Sequence, residues 1–200
     1  MNHDDIPIFP LPVVLFPGGY LPLRIFEQRY IDMVRDCSAR GGRFGVCLVN
    51  NPEREGQAAS HLSIGTMAEI CDFSTLDDGL LGIVTRGRQR FVIQSTRMRD
   101  NALLMARINL LSEAEPVQVP EEYSVLSLIA GRFMEQLGVN FPEFQPDDLQ
   151  DASWVGYRLS ELLPLDNEEK QALLQITDPL DRLQVLLDVL PRFQEAGSEH

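Results

Sequence analysis

The sequence predicts an α+β chain: a small barrel or folded sheet of about six strands with one inserted helix, then a C-terminal segment of four helices. Three observations carry this expectation. An apolar run from Ile6 to Phe26 is broken by Pro7, Pro10, Pro12, Pro17 and Pro22; proline lacks a backbone N–H and clashes with the preceding helical turn, so the run is confined to short extended pieces. Apolar runs bounded by turn residues then recur as far as Leu110. Beyond Pro120 the apolar period becomes that of amphipathic helices, and the charge balance changes with it.

Taken in order, the residues between the prolines (Ile8, Phe9, Val13, Val14, Leu15, Leu21, Leu23, Ile25) are aliphatic or aromatic and suit short buried strands. Phe16-Pro-Gly-Gly19 reads as a tight turn between two of them. Over 27–40, Tyr30, Ile31, Val34 and Cys37 fall near helical spacing, and Gly41-Gly42 stops this helix. Phe44 to Val49 reads as a buried strand and Asn50 to Gly56 as an exposed loop. Strands at 64–76 and 80–85 flank Asp77-Asp78-Gly79, a hairpin signal because Asp and Gly tolerate positive φ. Phe91 to Gln94 and Leu103 to Leu110 continue the series.

Residues 113–120, with Pro116 and Pro120 around a short polar stretch, read as a linker between a β unit (1–112) and an acidic helical bundle (121–196). Leu126, Ile129, Ala130, Phe133 and Leu137 form the stripe of one helix, and Leu149, Ala152, Val155, Leu159 and Leu163 that of a second. Asp166 with Glu169 three residues on opens a third. Asp178-Pro179 opens a fourth, with Leu180, Leu183, Leu187 and Leu190 as its stripe.

At 44% hydrophobic and 24% charged residues over 200 positions, the chain can bury a core without disulfides or metal. Cys37, Cys47 and Cys71 are odd in number and lack C-x-x-C spacing, so they read as reduced core thiols in a cytoplasmic setting. Asp4 and Asp5 stand where a leader would be basic, and no run of about 18 unbroken apolar residues comes after them, which points away from a signal peptide or membrane span. Residues 1–112 hold 12 acids and 12 arginines and are neutral; residues 113–200 hold 18 acids against four arginines and Lys170, a net of −13. Such an acidic surface repels phosphate backbones.

Ile8-Phe-Pro-Leu, Leu15-Phe-Pro-Gly and Leu21-Pro-Leu-Arg-Ile-Phe-Glu-Gln-Arg-Tyr30 resemble the opening of the Lon protease N-terminal domain, also called the Lon substrate-binding domain. Gly65-Thr-Met-Ala-Glu-Ile70, Asp78-Gly79 and Thr85-Arg-Gly-Arg-Gln-Arg-Phe91 resemble its hairpin region, and Leu162 to Leu174 its helical part. The resemblance implies a PUA-like β pseudobarrel followed by helices, and a role in polypeptide recognition. The chain looks like a stand-alone member of that family, without the ATPase and protease domains.

Catalysis is not expected. No Gly-x-x-x-x-Gly-Lys-[Ser/Thr] loop is present, and Lys170, the only lysine, falls in the charged first turn of a helix, where nothing desolvates it into a general base. His3 and His200 lie at the ends and His61 in a polar stretch, so no metal site or cofactor is expected. The acid pairs Glu121-Glu122, Asp147-Asp148 and Glu168-Glu169 read as helix first turns. Two features suit recognition. Arg86, Arg88 and Arg90 alternate along a strand, placing three guanidinium groups on one face with Phe91 on the other. Phe16, Pro17, Gly18 and Tyr20 form a turn whose apolar groups suit an extended peptide.

The leading expectation is therefore a non-catalytic module that binds unfolded or tagged polypeptides or a protein partner. The alternatives are an RNA-binding or RNA-associated module using Arg86, Arg88 and Arg90, and an adaptor docking through its acidic helices.

Overall fold

The computed structural model describes residues 5–39, 41, 43–49, 63–137 and 141–196. The expected loop at Asn50 to Gly56, Gly42, and the three histidines His3, His61 and His200 lie outside the described residues. The chain divides into two compact units, Met1–Ser112 and Glu113–His200.

The first unit contains β1 (Asp5–Leu11), β2 (Tyr20–Ile25), α1 (Gln28–Ser38), β3 (Arg43–Leu48), β4 (Ile64–Thr75), β5 (Leu81–Met98) and β6 (Leu104–Leu110). Strand order is β2-β5-β4-β3-β1-β6, and β6 pairs with β5 as well. Five strands thus close on themselves and β2 lies outside the ring, on β5. Closure depends on β1 changing partner along its length: Asp5 to Pro7 pair antiparallel with β6, whereas Ile8 to Leu11 pair parallel with β3.

One sheet face carries Phe9, Phe44, Val46, Ala68 and Met105, packed with Tyr30, Met33, Val34 and Cys37 of α1. The other carries Ile8, Cys47, Met67, Phe91, Ala106 and Ile108. This alternation of residue neighbours between faces follows from the period of two.

β5 differs from expectation. Two strands, 80–85 and 91–94, are one strand of 18 residues, because Arg86 to Arg90 continue the pairing with β4. The strand turns by register shifts: an extra residue is accommodated at 88–89 against β4 and at Gln94 against β6. β4 carries its own extra residue, Cys71, and from there outward it is exposed. Cys71 is consequently a surface thiol, not the core thiol expected, while Cys37 and Cys47 are buried.

The second unit holds α2 (Ser124–Leu137), α3 (Ala152–Leu162), α4 (Asn167–Gln175), α5 (Pro179–Val189) and α6 (Pro191–Ala196), with short 3₁₀ turns at Glu121–Tyr123 and Pro146–Gln150. The expected four helices are followed by a fifth of six residues, which Pro191 opens directly after Leu190. Asp166 Oδ1 accepts from the Glu169 N–H at 2.8 Å while Glu169 Oε2 accepts from the Asp166 N–H at 3.0 Å, the reciprocal cap the sequence predicts. Asp178 accepts from the Leu180 N–H at 2.8 Å with Pro179 behind it. The acid pairs lie in first turns as expected. The stretch expected as a linker is tied down at one end: the Val119 N–H donates to Gln150 O at 2.9 Å and the Ala152 N–H to Val117 O at 2.8 Å.

Candidate functional site

Phe16-Pro-Gly-Gly19 closes through a Gly19 N–H to Phe16 O bond of 3.0 Å, with Gly18 at φ 74°, the left-handed conformation that a Pro-Gly turn demands. Two bonds of 2.8 Å fix this turn to the middle of β5, from the Gly18 N–H to Gly87 O and from the Gly87 N–H to Gly19 O. The approach is so close that a Cβ on Gly87 would overlap Phe16 O. Glycine is required there because the carbonyl occupies the side-chain position. Tyr20 pairs with Arg86 across β2 and β5, its ring centroid 5.8 Å from the guanidinium carbon.

The fold thus gathers Pro17, Gly18, Tyr20, Arg86 and Arg88 at one end of β2. It does not present Phe16 or Arg90, both of which are 0% exposed. The expectation of three guanidinium groups in one outward row is corrected for Arg90. The extra residue at 88–89 breaks the alternation between Arg88 and Arg90, and Arg90 lies opposite the fully buried Thr66. Arg88, still exposed, is bound to Glu69, which also pairs with Arg43 at 3.4 Å. Partial desolvation pushes the Glu69 carboxyl up, but the hydrogen bonds and charges of Arg88 and Arg43 outweigh it and hold the group below its ordinary value.

At the other end of β2 lies a feature that sequence reasoning missed, an open cavity of about 700 Å³. Its walls come from β1 (Phe9, Leu11), β2 (Leu23, Ile25) and the adjoining Phe26, the start of α1, and the facing ends of β5 and β6 (Met98, Leu104). Phe9 and Tyr30 stack in it with centroids 4.0 Å apart. Phe26 and Met98 are 66% and 62% exposed, although both are large apolar groups. Burial pushes the Tyr30 hydroxyl above its ordinary value, Arg29 opposing and Glu27 adding to the effect, so the phenol stays neutral.

The charged residues that line this cavity, Arg24, Glu27 and Arg29, each have an ionic partner, although Arg29 Nε is buried without a hydrogen bond among the described residues. Arg29 pairs with Glu27 at 2.7 Å and donates to Ala102 O at 3.0 Å, with its guanidinium 4.7 Å from the Tyr30 ring centroid. Arg24 pairs with Asp78. A signal was present in the sequence: Leu21 to Tyr30, the block that carried the family resemblance, supplies much of the wall. Its sequence alone does not say that Phe26 faces solvent.

Two other reactive groups, the Cys47 thiol and the Lys170 amine, are shielded from solvent. Burial pushes the Cys47 thiol up to about 12, so the reactive thiolate is suppressed. Lys170 is more shielded than expected: desolvation lowers its ammonium from the ordinary value against the opposing charge of Glu161. It donates to the Glu161 carbonyl at 2.8 Å. Among the described residues, no group of three or more His, Cys, Asp or Glu side chains is placed to hold a metal ion, and no helix is long and apolar enough to cross a membrane.

These features describe a mixed α+β protein, in which a self-closing sheet carries an apolar cavity and a separate unit is helical. The chain belongs to the family of the ATP-dependent protease La (LON) substrate-binding domain, whose family model matches residues 5–192. It is 25% identical over 195 residues to Lon protease of Cytophaga hutchinsonii, covering 94% of this chain and 24% of that protein. It is 28% identical over 208 residues to Lon protease 2 of Myxococcus xanthus, covering 98% of this chain and 25% of that protein. It therefore spans about a quarter of the length of these relatives. The crystal structure of a Lon N-terminal domain protein from Xanthomonas campestris superposes with a TM-score of 0.77 at 36% identity, covering 92% of this chain and 98% of that one. The N-terminal domain of Mycobacterium avium complex Lon protease, at 19% identity and a TM-score of 0.67, shares the fold.

Proposed function

We propose that this chain is a non-catalytic polypeptide-binding module, with residues 1–112 as its PUA-like recognition unit and the cavity beside β2 as its binding surface. One observation carries the reading: an apolar cavity of about 700 Å³ with Phe26 and Met98 exposed at its rim adjoins a strand that, among the described residues, is paired on one side only. The cavity accepts apolar side chains, and the edge of β2 away from β5 offers backbone groups for strand addition at positions other than the Pro22 nitrogen, which carries no hydrogen. Each of its charged residues having an ionic partner, the favoured occupant is an uncharged, extended apolar segment. A segment lying along the six residues of β2, about 20 Å, reaches Tyr20 and Pro17 at the far end, so the cavity and the turn form one track. Family membership supports polypeptide recognition as the activity.

The test is binding of a fluorescently labelled, permanently unfolded protein to wild type and to the Phe26→Asp/Met98→Asp double variant. Loss of affinity of about tenfold or more is expected, with unfolding unchanged because both side chains are exposed. Wild-type affinity in the double variant would remove the cavity as the site. Two placements weigh against the RNA alternative: Arg90 is buried, and Arg88 is held by Glu69.

A further inference from the structure

A second cavity, of about 520 Å³, opens further along α1. Its apolar lining is rich in sulfur, from Met33 and Cys37 on α1, Met67 on β4 and Met105 on β6, with Leu103 beside them. Such polarizable, unbranched side chains adapt to varied apolar shapes. Four charged residues line it too, and three have partners outside: Asp5 with Arg97 at 2.7 Å, Asp36 with Arg35 at 3.6 Å, and Arg43 with Glu69 at 3.4 Å. The fourth is Arg99. Among the described residues its exposed side chain makes no hydrogen bond or ion pair.

Arg99 is carried on a constrained turn. Its N–H donates to Leu103 O at 2.9 Å and its carbonyl accepts from the Ala102 N–H at 2.9 Å. Ala102 sits at φ 59°, a left-handed conformation uncommon for a residue with a Cβ, and Arg29 clamps the Ala102 carbonyl from the first cavity at 3.0 Å. A cation without a partner among the described residues, held by a stiff turn at a cavity of mixed lining with a sulfur-rich apolar part, matches a ligand that has an apolar body and carries one negative charge. Asp and Glu side chains supply the charge without the apolar body. An unfolded polypeptide supplies both together at its C-terminal residue when that residue is apolar.

We propose that this second cavity is a C-terminus subsite, taking the apolar side chain of a polypeptide's last residue while Arg99 binds its α-carboxylate. The proposal rests on the polypeptide-binding reading above and adds an end-specific contact to it. Guanidinium and carboxylate match as a charge-assisted, two-pronged pair.

The test uses the full chain and an N-acetylated octapeptide ending in Phe, as the free acid and as the C-terminal amide, with N-acetylphenylalanine as a small acid of the same chemistry. The free acid is expected to bind about tenfold or more tightly than the amide. Arg99→Ala abolishes that preference, Arg99→Lys retains part of it, and both exposed-site variants unfold as wild type does. N-acetylphenylalanine binds far more weakly than the octapeptide. Equal affinity for acid and amide, or a preference that survives in Arg99→Ala, overturns the subsite while leaving polypeptide binding intact. N-acetylphenylalanine binding as tightly as the octapeptide makes this a small-acid site and also overturns the proposal. If neither octapeptide nor the unfolded protein binds, both readings fall.

Discussion

Arg88 in the β unit and Arg182 in the helical unit are the same group on regular elements, in opposite circumstances. Arg88 is solvent-exposed and bound to a carboxylate, Glu69. Arg182 is 1% exposed and donates to backbone carbonyls, Nε to Leu173 O at 3.1 Å and Nη2 to Ile176 O, with its guanidinium 4.1 Å from the Tyr157 ring centroid. The contrast recurs at other positions, with buried Arg90 in the β unit and Arg192, paired with Glu169 near solvent in the helical unit, as exceptions. In the β unit Arg24, Arg29, Arg43, Arg88 and Arg97 pair with acids near solvent. In the helical unit Arg158 and Arg182 are in the core, Arg158 bound to Glu161, and Lys170 is half-buried. Of the five cations that offset 18 acids in residues 113–200, these are withdrawn from the surface. The solvent-facing helices are thus more one-sidedly acidic than the net charge states, a field that repels polyanions.

Breaking the buried end of the comparison has the largest expected effect. Arg182→Ala leaves the Leu173 and Ile176 carbonyls without their donor and opens a cavity, a loss of about 4 kcal/mol in the helical unit. Trp154, the single tryptophan, lies in α3, so urea unfolding followed by its fluorescence reads that unit. Arg182→Met, which fills much of the volume, recovers part of the loss. A midpoint unchanged in Arg182→Ala would show that the buried guanidinium has no structural role.

Gly87→Ala probes the β unit where backbone replaces side chain. The added methyl collides with Phe16 O, and a loss of about 2–3 kcal/mol is expected. Far-UV circular dichroism measures the melt, and hydrogen exchange should localise the weakening to the Phe16–Gly19 turn. Arg88→Ala, which removes an exposed pair, should destabilise by under about 1 kcal/mol.

The smallest effects concern pH, and their signs differ between Glu69 and Glu161. Glu69 has a lowered carboxyl in the folded state, so its stabilisation is present above the ordinary glutamate value and disappears as pH falls through the folded one. Burial raises the Glu161 carboxyl, against the pull of Arg158 and Lys170. Its contribution is fully present below the ordinary value and is lost as pH rises through the raised one. Denaturant titrations across the mildly acidic range should therefore lose a downward component with rising pH in Glu161→Gln. In Glu69→Gln they should lose an upward one. The same slope in wild type and variant would remove the assignment.

Local chemistry was legible wherever the deciding atoms are near in sequence. Pro17-Gly18 dictates its own turn, Asp166 and Glu169 cap one another, Asp178-Pro179 starts a helix, and the shift of period after Pro120 separates sheet from helices. Element boundaries that depend on distant strands were not legible: β5 continues through Arg86 to Arg90 because β4 lies alongside it, and Cys71 is exposed because the register slips there. Arg90 alternates with Arg88 in sequence yet is buried, since a bulge forms only against a partner strand.

The α+β class, the order of elements, the charge division between the units and the family motif at Leu21 to Tyr30 were all settled by the amino-acid sequence. They follow from periodicity, turn chemistry and composition, which act over a few residues. It took the packed fold to place Phe26 and Met98, 72 positions apart by number, at the rim of one cavity, and to leave Arg99 without a partner among the described residues beside another. Cavities and unmatched charges are what remains after strands from distant parts of the chain have packed, and packing is a property of all those surfaces together.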